Sequence, residues 1–160
     1  MKILGIDLGY GRVGYALVSE NSANLSVISY GVIETDSKCR LPERLIRIQG
    51  EIRAIIEKFH PDAVATEKLF FGANRKTALD VAKAQGVILA CCAEAGLEWF
   101  EYSPAEVKTS VTGNGNAPKK QVAFMVERIL ALREKSLSDD ITDAMAVAIC
   151  HIHRNRLNCL

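Results

Sequence analysis

Two short apolar runs in this chain each end on a carboxylate, and together they restrict the fold more than any other feature. Met1-Lys2-Ile3-Leu4-Gly5-Ile6 is closed by Asp7, and Ala63-Val64-Ala65-Thr66 is closed by Glu67. Short runs of small or β-branched residues bounded by turn formers are the pattern of strands buried on both faces of a sheet. Two more acids, Asp140 and Asp143, open a helical pattern that continues through Ala144, Val147 and Ala148. A carboxylate taken out of water protonates or finds a partner, because desolvating its charge is costly. Several carboxylates at the ends of core elements therefore point to a shared cation. Divalent metal held by oxygen ligands beside a phosphodiester is nuclease chemistry.

The remaining pattern supplies the other elements. Residues 2–7, 13–19 and 25–34 read as a three-stranded meander, with Gly9-Tyr10-Gly11 and Glu20-Asn21-Ser22-Ala23-Asn24 as its turns. Pro42 suits a first helical turn, and Leu45, Ile48, Ile52, Ile55 and Phe59 follow at helical spacing until His60-Pro61. Residues 62–67 form the next strand. A loop from Lys68 to Asn74 leads into an Ala-rich helix over 75–94, ended by Gly96, and Leu97 to Tyr102 is a fifth strand. Ser103-Pro104 predicts an N-cap with proline at the first helical position, for a helix to about Val111. Thr112-Gly113-Asn114-Gly115-Asn116 is a loop. Pro118 starts a helix with Val122, Met125, Val126, Ile129 and Leu130 inward, and Ser138 is the expected cap of the last one. A meander followed by alternating helices and strands implies an α/β fold, a five-stranded mixed sheet flanked by helices. Strands 1 and 4 should lie parallel and adjacent, bringing Asp7 and Glu67 together at their carboxyl ends, where ligand sites of open α/β sheets collect.

With 160 residues the chain suits one domain spanning 1–160. No apolar stretch reaches the roughly 18 residues of a membrane span, and the strand pattern starts at the first residues, so neither a membrane partner nor a secretory leader is expected. Cys39, Cys91, Cys92, Cys150 and Cys159 are odd in number and form no CxxC pair, as in a reducing, cytoplasmic setting. Cys150-His151-Ile152-His153 with Cys159 fits no common structural zinc spacing. The net charge of +1 argues against a broad basic surface. Two divalent cations at the acids would add four positive charges, so a nucleic-acid face has to be local.

Each acid has a plainer explanation. First-turn carboxylates favourably meet a helix macrodipole, which accounts for Asp139 and Asp140 but not for Asp143, already a turn deep. Asp140 and Asp143 share one helical face, as do Asp139 and Asp143, so spacing leaves open which of the first two is a ligand. Asp7 in Gly5-Ile6-Asp7-Leu8-Gly9 could simply accept backbone hydrogen bonds in a glycine turn, and Glu67 could be a solvated strand end. Lysines at 108, 119 and 120 could be merely solvated. Phe70-Phe71 beside Gly72 is harder to leave in water: it either packs, beneath the helix over 75–94 or at a subunit interface, or stacks on an unpaired base.

Taken together and in order, Gly5-Ile6-Asp7-Leu8-Gly9 with Gly14-Tyr15, Glu67-Lys68-Leu69-Phe70, Val107-Lys108, Gly113-Asn114-Gly115 with Lys119, and Asp140-Ile141-Thr142-Asp143-Ala144 resemble the RuvC family of Holliday-junction resolvases across nearly the whole chain. The resemblance implies a ribonuclease H-like fold, a homodimer, and Mg²⁺-dependent paired nicks across four-way junction DNA in recombination and repair. It places the metal-binding acids on Asp7, Glu67, Asp140 and Asp143, with two Mg²⁺ per subunit and Mn²⁺ as a substitute. Its D-x-x-D-A pattern selects Asp140 over Asp139. It puts Lys108 and Lys119 beside the scissile phosphate and Phe70 at the junction centre, with Asn74, Arg75 and Lys120 as further DNA-binding candidates. A branch-migration motor of the RuvA–RuvB type is the partner it implies. Three rivals remain at this point. One is a ribonuclease H-type nuclease acting on RNA–DNA hybrids. Another is an actin-like nucleotide-binding module using residues 5–9 as a phosphate loop, for which the chain looks too short. The last is a non-catalytic junction scaffold, which four intact acids disfavour.

Overall fold

The computed structural model describes residues 1–22, 24–69, 75–132 and 137–158, without the side chains of residues 75–77, 157 and 158. Its elements run β1 (Lys2–Asp7), β2 (Arg12–Asn21), β3 (Asn24–Glu34), α1 (Leu41–Phe59), β4 (Ala63–Glu67), α2 (Arg75–Glu94), β5 (Glu98–Tyr102), α3 (Pro104–Thr112), α4 (Lys119–Ile129) and α5 (Asp139–Asn158). The five strands make one mixed sheet in the order β3-β2-β1-β4-β5. The meander β1-β2-β3 is antiparallel, whereas β4 and β5 run parallel to β1. The expected α/β architecture, with strands 1 and 4 adjacent and parallel, is the one observed.

Strand alternation sorts the core into two layers. Leu4, Ile6, Val13, Leu17 and Val64 face α1 and α2, where Ile48, Ile52, Ile55, Ile56, Ala84 and Ile88 cover them. Ile3, Ala16, Val18, Ala63 and Ala65 face the other way, against α3, α4 and above all α5. That side is thin. Gly5 and Gly14 lie under α5: a Cβ on Gly5 would stand 2.0 Å from the Ala144 carbonyl oxygen, and one on Gly14 would stand 2.1 Å from the Asp140 carbonyl oxygen. The helix answers with small residues, Ala144, Ala146 and Ala148, all buried. Its backbone therefore rests almost directly on the backbones of β1 and β2.

The helix caps mostly follow the sequence. Ser103 accepts a hydrogen bond from the Glu106 N–H, and the Glu106 carboxylate accepts from the Ser103 N–H, a reciprocal cap with Pro104 in the first turn. Ser138 departs from expectation. It stands where a cap should, yet its hydroxyl is buried and has no hydrogen-bond partner among the described residues. Its carbonyl oxygen starts α5 instead, accepting from the Ile141 and Thr142 N–H groups and the Thr142 hydroxyl. β2 and β3 are also longer than the apolar pattern suggests, reaching Asn21 and Asn24, because Ser22 turns the chain with φ at 47°.

If the thinness of this layer is what seats α5, Gly14→Ala and Gly5→Ala should each lower unfolding free energy by about 3 kcal/mol or more, since the obstacle is backbone rather than a movable side chain. Gly50→Ala in α1, where a methyl meets nothing within 4 Å, should instead raise it by roughly 0.5–1 kcal/mol. Urea midpoints of the three variants check both signs.

Candidate active site

On the α5 side, four sheet positions form a row at the carboxyl ends of β1 and β4. Asp7 lies opposite Gly14, and Glu67 lies opposite Tyr102. The β1–β4 register, with Ile6 beside Thr66, brings Asp7 next to Glu67. The row thus reads Gly14, Asp7, Glu67, Tyr102. Both carboxylates share this face because Ile3 and Gly5 precede Asp7, and Ala63 and Ala65 precede Glu67, at intervals of two. The loop after Asp7 is braced from outside. Thr35 donates its N–H to the Gly11 carbonyl at 2.9 Å and its hydroxyl to the Tyr10 carbonyl at 2.8 Å, and the Arg44 guanidinium lies 4.5 Å over the Tyr10 ring.

The start of α5 covers the row. Burial and the charges of Asp143, Asp140 and Glu67, in that order, push the Asp7 carboxyl from 3.8 up to about 7. Glu67 is raised by burial and then by Asp143, against the pull of Lys108 and Lys119. Asp143 is raised by burial in spite of a hydrogen bond from Lys119. Burial and neighbouring negative charge thus oppose ionisation of Asp7, Glu67 and Asp143 together in the absence of a counter-charge.

Two cationic side chains meet part of that demand. Arg12 donates from Nε to Asp140 Oδ2 at 2.9 Å and also pairs with Glu34. Lys119 Nζ stands 3.1 Å from Asp139 Oδ2 and 3.1 Å from Asp143 Oδ2. Burial lowers the Lys119 pKa, but its bonds to the two aspartates outweigh this and leave it raised. Among the described residues, no three acid, His or Cys side chains already enclose a cation position. The donors themselves are hard carboxylate oxygens, the type Mg²⁺ and Mn²⁺ prefer, and a cation arriving there would displace Lys119 from Asp143.

A cleft of about 210 Å³ adjoins this group, lined by Glu67, Lys108, Lys119 and Asp143 with Pro104, Val107, Val122 and Ala146. Six expected residues are therefore brought together: Asp7, Glu67, Asp140, Asp143, Lys108 and Lys119. Lys120 is exposed at the start of α4 and does not line the cleft. Arg75 begins α2, while Phe70 and Asn74 lie outside the described residues. Asp139, left open by spacing, is the outer partner of Lys119: its side chain is 78% exposed and it does not contribute to the Asp7 shift, unlike Asp140 at 28%. Sequence reasoning missed Arg12 and Glu34. Only the β2–β3 register, which sets them opposite each other, could have pointed to them. A larger cleft, about 420 Å³ between α3 and the far end of α5, has its Arg154 paired with Glu106 at 3.0 Å and holds none of the coupled acids.

Comparison with known proteins gives a consistent result. The family model described as crossover junction endodeoxyribonuclease RuvC matches residues 3–151. A crossover junction endodeoxyribonuclease RuvC from Syntrophomonas wolfei is 45% identical over 158 residues, covering 99% of this chain and 92% of the relative. The structure of Thermus thermophilus RuvC aligns with a TM-score of 0.91 at 32% identity, covering 99% of this chain and 97% of that one. The same protein in complex with Holliday junction substrate aligns with a TM-score of 0.93 at 32% identity, over 99% and 96% of the two chains.

The raised Asp7 pKa carries a sign for stability. A carboxyl with its folded pKa above the unfolded value favours folding when protonated. Its contribution is complete below pH 3.8 and is lost as pH rises through about 7. In chelator, Asp7→Asn should therefore be more stable than the parent protein at about pH 8, by up to about 4 kcal/mol, with the gap closing toward about pH 4. Guanidinium midpoints across that range test it; a gap that widens on acidification would refute the coupling.

Proposed function

The chain belongs to the RuvC family of crossover junction endodeoxyribonucleases, and from that premise we propose how its acid-lined cleft resolves four-way DNA junctions by paired, symmetric nicks. Membership in this family sets aside the ribonuclease H, nucleotide-binding and scaffold readings. The observation that carries the assignment of roles is the convergence of Asp7 with Glu67, Asp140 and Asp143 from three separate stretches of chain, β1, β4 and the start of α5. These four side chains are the proposed metal ligands, within one ribonuclease H-like nuclease domain over 1–160. Asp140 is preferred over Asp139 because Asp139 faces outward to Lys119.

Two Mg²⁺ per subunit, or Mn²⁺ in their place, would supply an activated water and neutralise charge at the departing 3′-oxygen, leaving 5′-phosphate and 3′-hydroxyl ends. The chain's own groups prepare that chemistry. Asp7 and Glu67 are fixed by adjacent strands, so their carboxylates need no loop motion to meet. Lys119, held by Asp139 on one side and Asp143 on the other, is the lysine paired with the acids. Released from Asp143, it remains tethered by Asp139 at the cleft edge, where it and Lys108 would hold a phosphate oxygen. The ligands are thus prepared on rigid elements, and the mobile charge is a single lysine head group. Phe70 is the proposed stacking residue at the junction centre, with Asn74, Arg75 and Lys120 as outlying DNA contacts.

Two active sites on strands of like polarity require a two-fold dimer. The proposed interface is α2, which exposes Leu79 (58%) and Leu89 (42%) on a helix whose Ile88 is buried against the sheet. A branch-migration motor of the RuvA–RuvB type is the proposed partner, and the cytoplasm the proposed compartment. Among the described residues no helix is long and apolar enough to cross a membrane.

With Mg²⁺ the protein should cut a synthetic four-way junction and spare linear duplex and RNA–DNA hybrid, and chelator should abolish cutting. Equal cutting of all three would end the structural selectivity. Asp7→Asn should retain junction binding in gel shifts while losing at least about 10²-fold in nicking rate; undiminished nicking would remove Asp7 from the ligand set. Leu79→Glu with Leu89→Glu should sediment as a monomer and lose the pairing of nicks, and a dimer that persists would move the interface elsewhere.

A further inference from the structure

Arg12 is the first residue of β2, two positions before the glycine on which α5 rests. Its guanidinium is divided between two carboxylates. Nε donates to Asp140 Oδ2 at 2.9 Å, and Nη1 pairs with Glu34, the residue directly opposite Arg12 in the β2–β3 register. Glu34 ends β3 at the sheet edge, so the chain Glu34–Arg12–Asp140 runs from that edge into the acid group. It has a definite effect on Asp140. One oxygen is committed to Arg12, while Oδ1 takes no hydrogen bond from any described residue. The Asp140 main chain cannot shift to compensate, because its carbonyl is pressed against Gly14.

An ion pair as open as this one, with half of the Arg12 side chain exposed, adds little to folding. Its consequence is orientation. Carboxylates that ligate metal are commonly held by a hydrogen bond to the oxygen or face they do not use, and loss of that support weakens the metal rather than the fold. We propose that Arg12, itself oriented by Glu34, is a positioning residue that fixes the Asp140 carboxylate with one oxygen presented to the metal. This rests on the reading of Asp140 as a ligand.

Titration calorimetry with Mn²⁺ on the DNA-free protein, beside chelator-treated unfolding curves, separates the possibilities. Arg12→Ala should weaken Mn²⁺ binding by about 10-fold or more with no change in the metal-free unfolding midpoint. Glu34→Gln should weaken it less, in the same direction. Arg12→Lys, which keeps the charge but not the planar fork, should fall between Arg12→Ala and the parent. In cutting assays the Mn²⁺ concentration for half-maximal rate should rise for Arg12→Ala, with the rate at saturating metal within a few-fold of the parent. Mn²⁺ affinity that is unchanged in Arg12→Ala would overturn the proposal, as would tighter binding, the result if Arg12 merely competes with the cation. If Arg12→Ala weakens junction binding in chelator while leaving Mn²⁺ affinity intact, Arg12 is a DNA contact and the proposal fails. A parent protein that binds no Mn²⁺ would sink the metal reading itself, and this inference with it.

Discussion

The seat of α5 on the sheet is the constraint on which the site depends. Two carbonyl oxygens of that helix, those of Asp140 and Ala144, occupy space that side chains on Gly14 and Gly5 would need. Helices usually stand off a sheet by the thickness of a layer of interdigitated side chains. At its first turn this helix is denied that layer, so short side chains are enough to bridge. Aspartate has one methylene, and Asp140 and Asp143 still come close enough to strand-borne Asp7 to raise its pKa. The same packing explains the sequence of α5 further along. Ala144, Ala146 and Ala148 are buried where larger residues would lift the helix, and Met145, Ile149 and Ile152 fill the flanks. Packing and chemistry are therefore one constraint here.

The site is assembled against an electrostatic cost. Burial and mutual repulsion oppose the ionised form of Asp7, Glu67 and Asp143, and the free protein relieves this with Lys119 and Arg12. The two cations differ in kind. Lys119 sits on the first turn of α4 with a flexible stem, pairs with a carboxylate oxygen of Asp143, and has Asp139 as a second anchor. Arg12 is fixed by a cross-strand carboxylate and binds one oxygen of Asp140. A flexible ammonium can leave without disturbing its neighbours, whereas a forked guanidinium keeps its partner's orientation. Stability here is surrendered locally for function, which is common where ionisable groups are forced together.

Much of this could be read from residues alone, for identifiable reasons. The strands ending in Asp7 and Glu67 were legible because both faces are buried and their runs are continuously apolar. Parallel pairing of β1 with β4 followed from the order of elements, and with it the approach of two acids 60 positions apart. Other features depend on register or on backbone contact, which leave no mark in a one-dimensional pattern. Gly5 looks like any strand glycine until α5 is placed on it. Arg12 looks like a solvated residue after a turn until β3 sets Glu34 across from it. Asp139 and Asp140 are equivalent by spacing, and only the seat of the helix turns one inward and the other out. Ser138 failed as a side-chain cap although its type and position fit, because its hydroxyl points into a buried space while its carbonyl starts the helix.

The distribution of charge then accounts for a nearly neutral nucleic-acid enzyme. With a net charge of +1, long-range attraction to a polyanion is weak, so affinity must come from where the cations sit. Here two of those beside the acids are already spent on carboxylates. A phosphate approaching the metal-free cleft would meet Lys119 already paired with Asp139 and Asp143, and buried carboxylates that Lys108 alone does not offset, which disfavours binding. If the acids hold divalent cations as proposed, Asp7, Glu67, Asp140 and Asp143 would be neutralised, and Lys119 would be free of Asp143 and able to face the DNA backbone. Metal would then be needed for chemistry and also to make the cleft receptive to a phosphate at all. DNA without metal would be held by the surrounding surface alone. That division lets recognition of a branched shape and hydrolysis of one phosphodiester be set by different parts of the same fold.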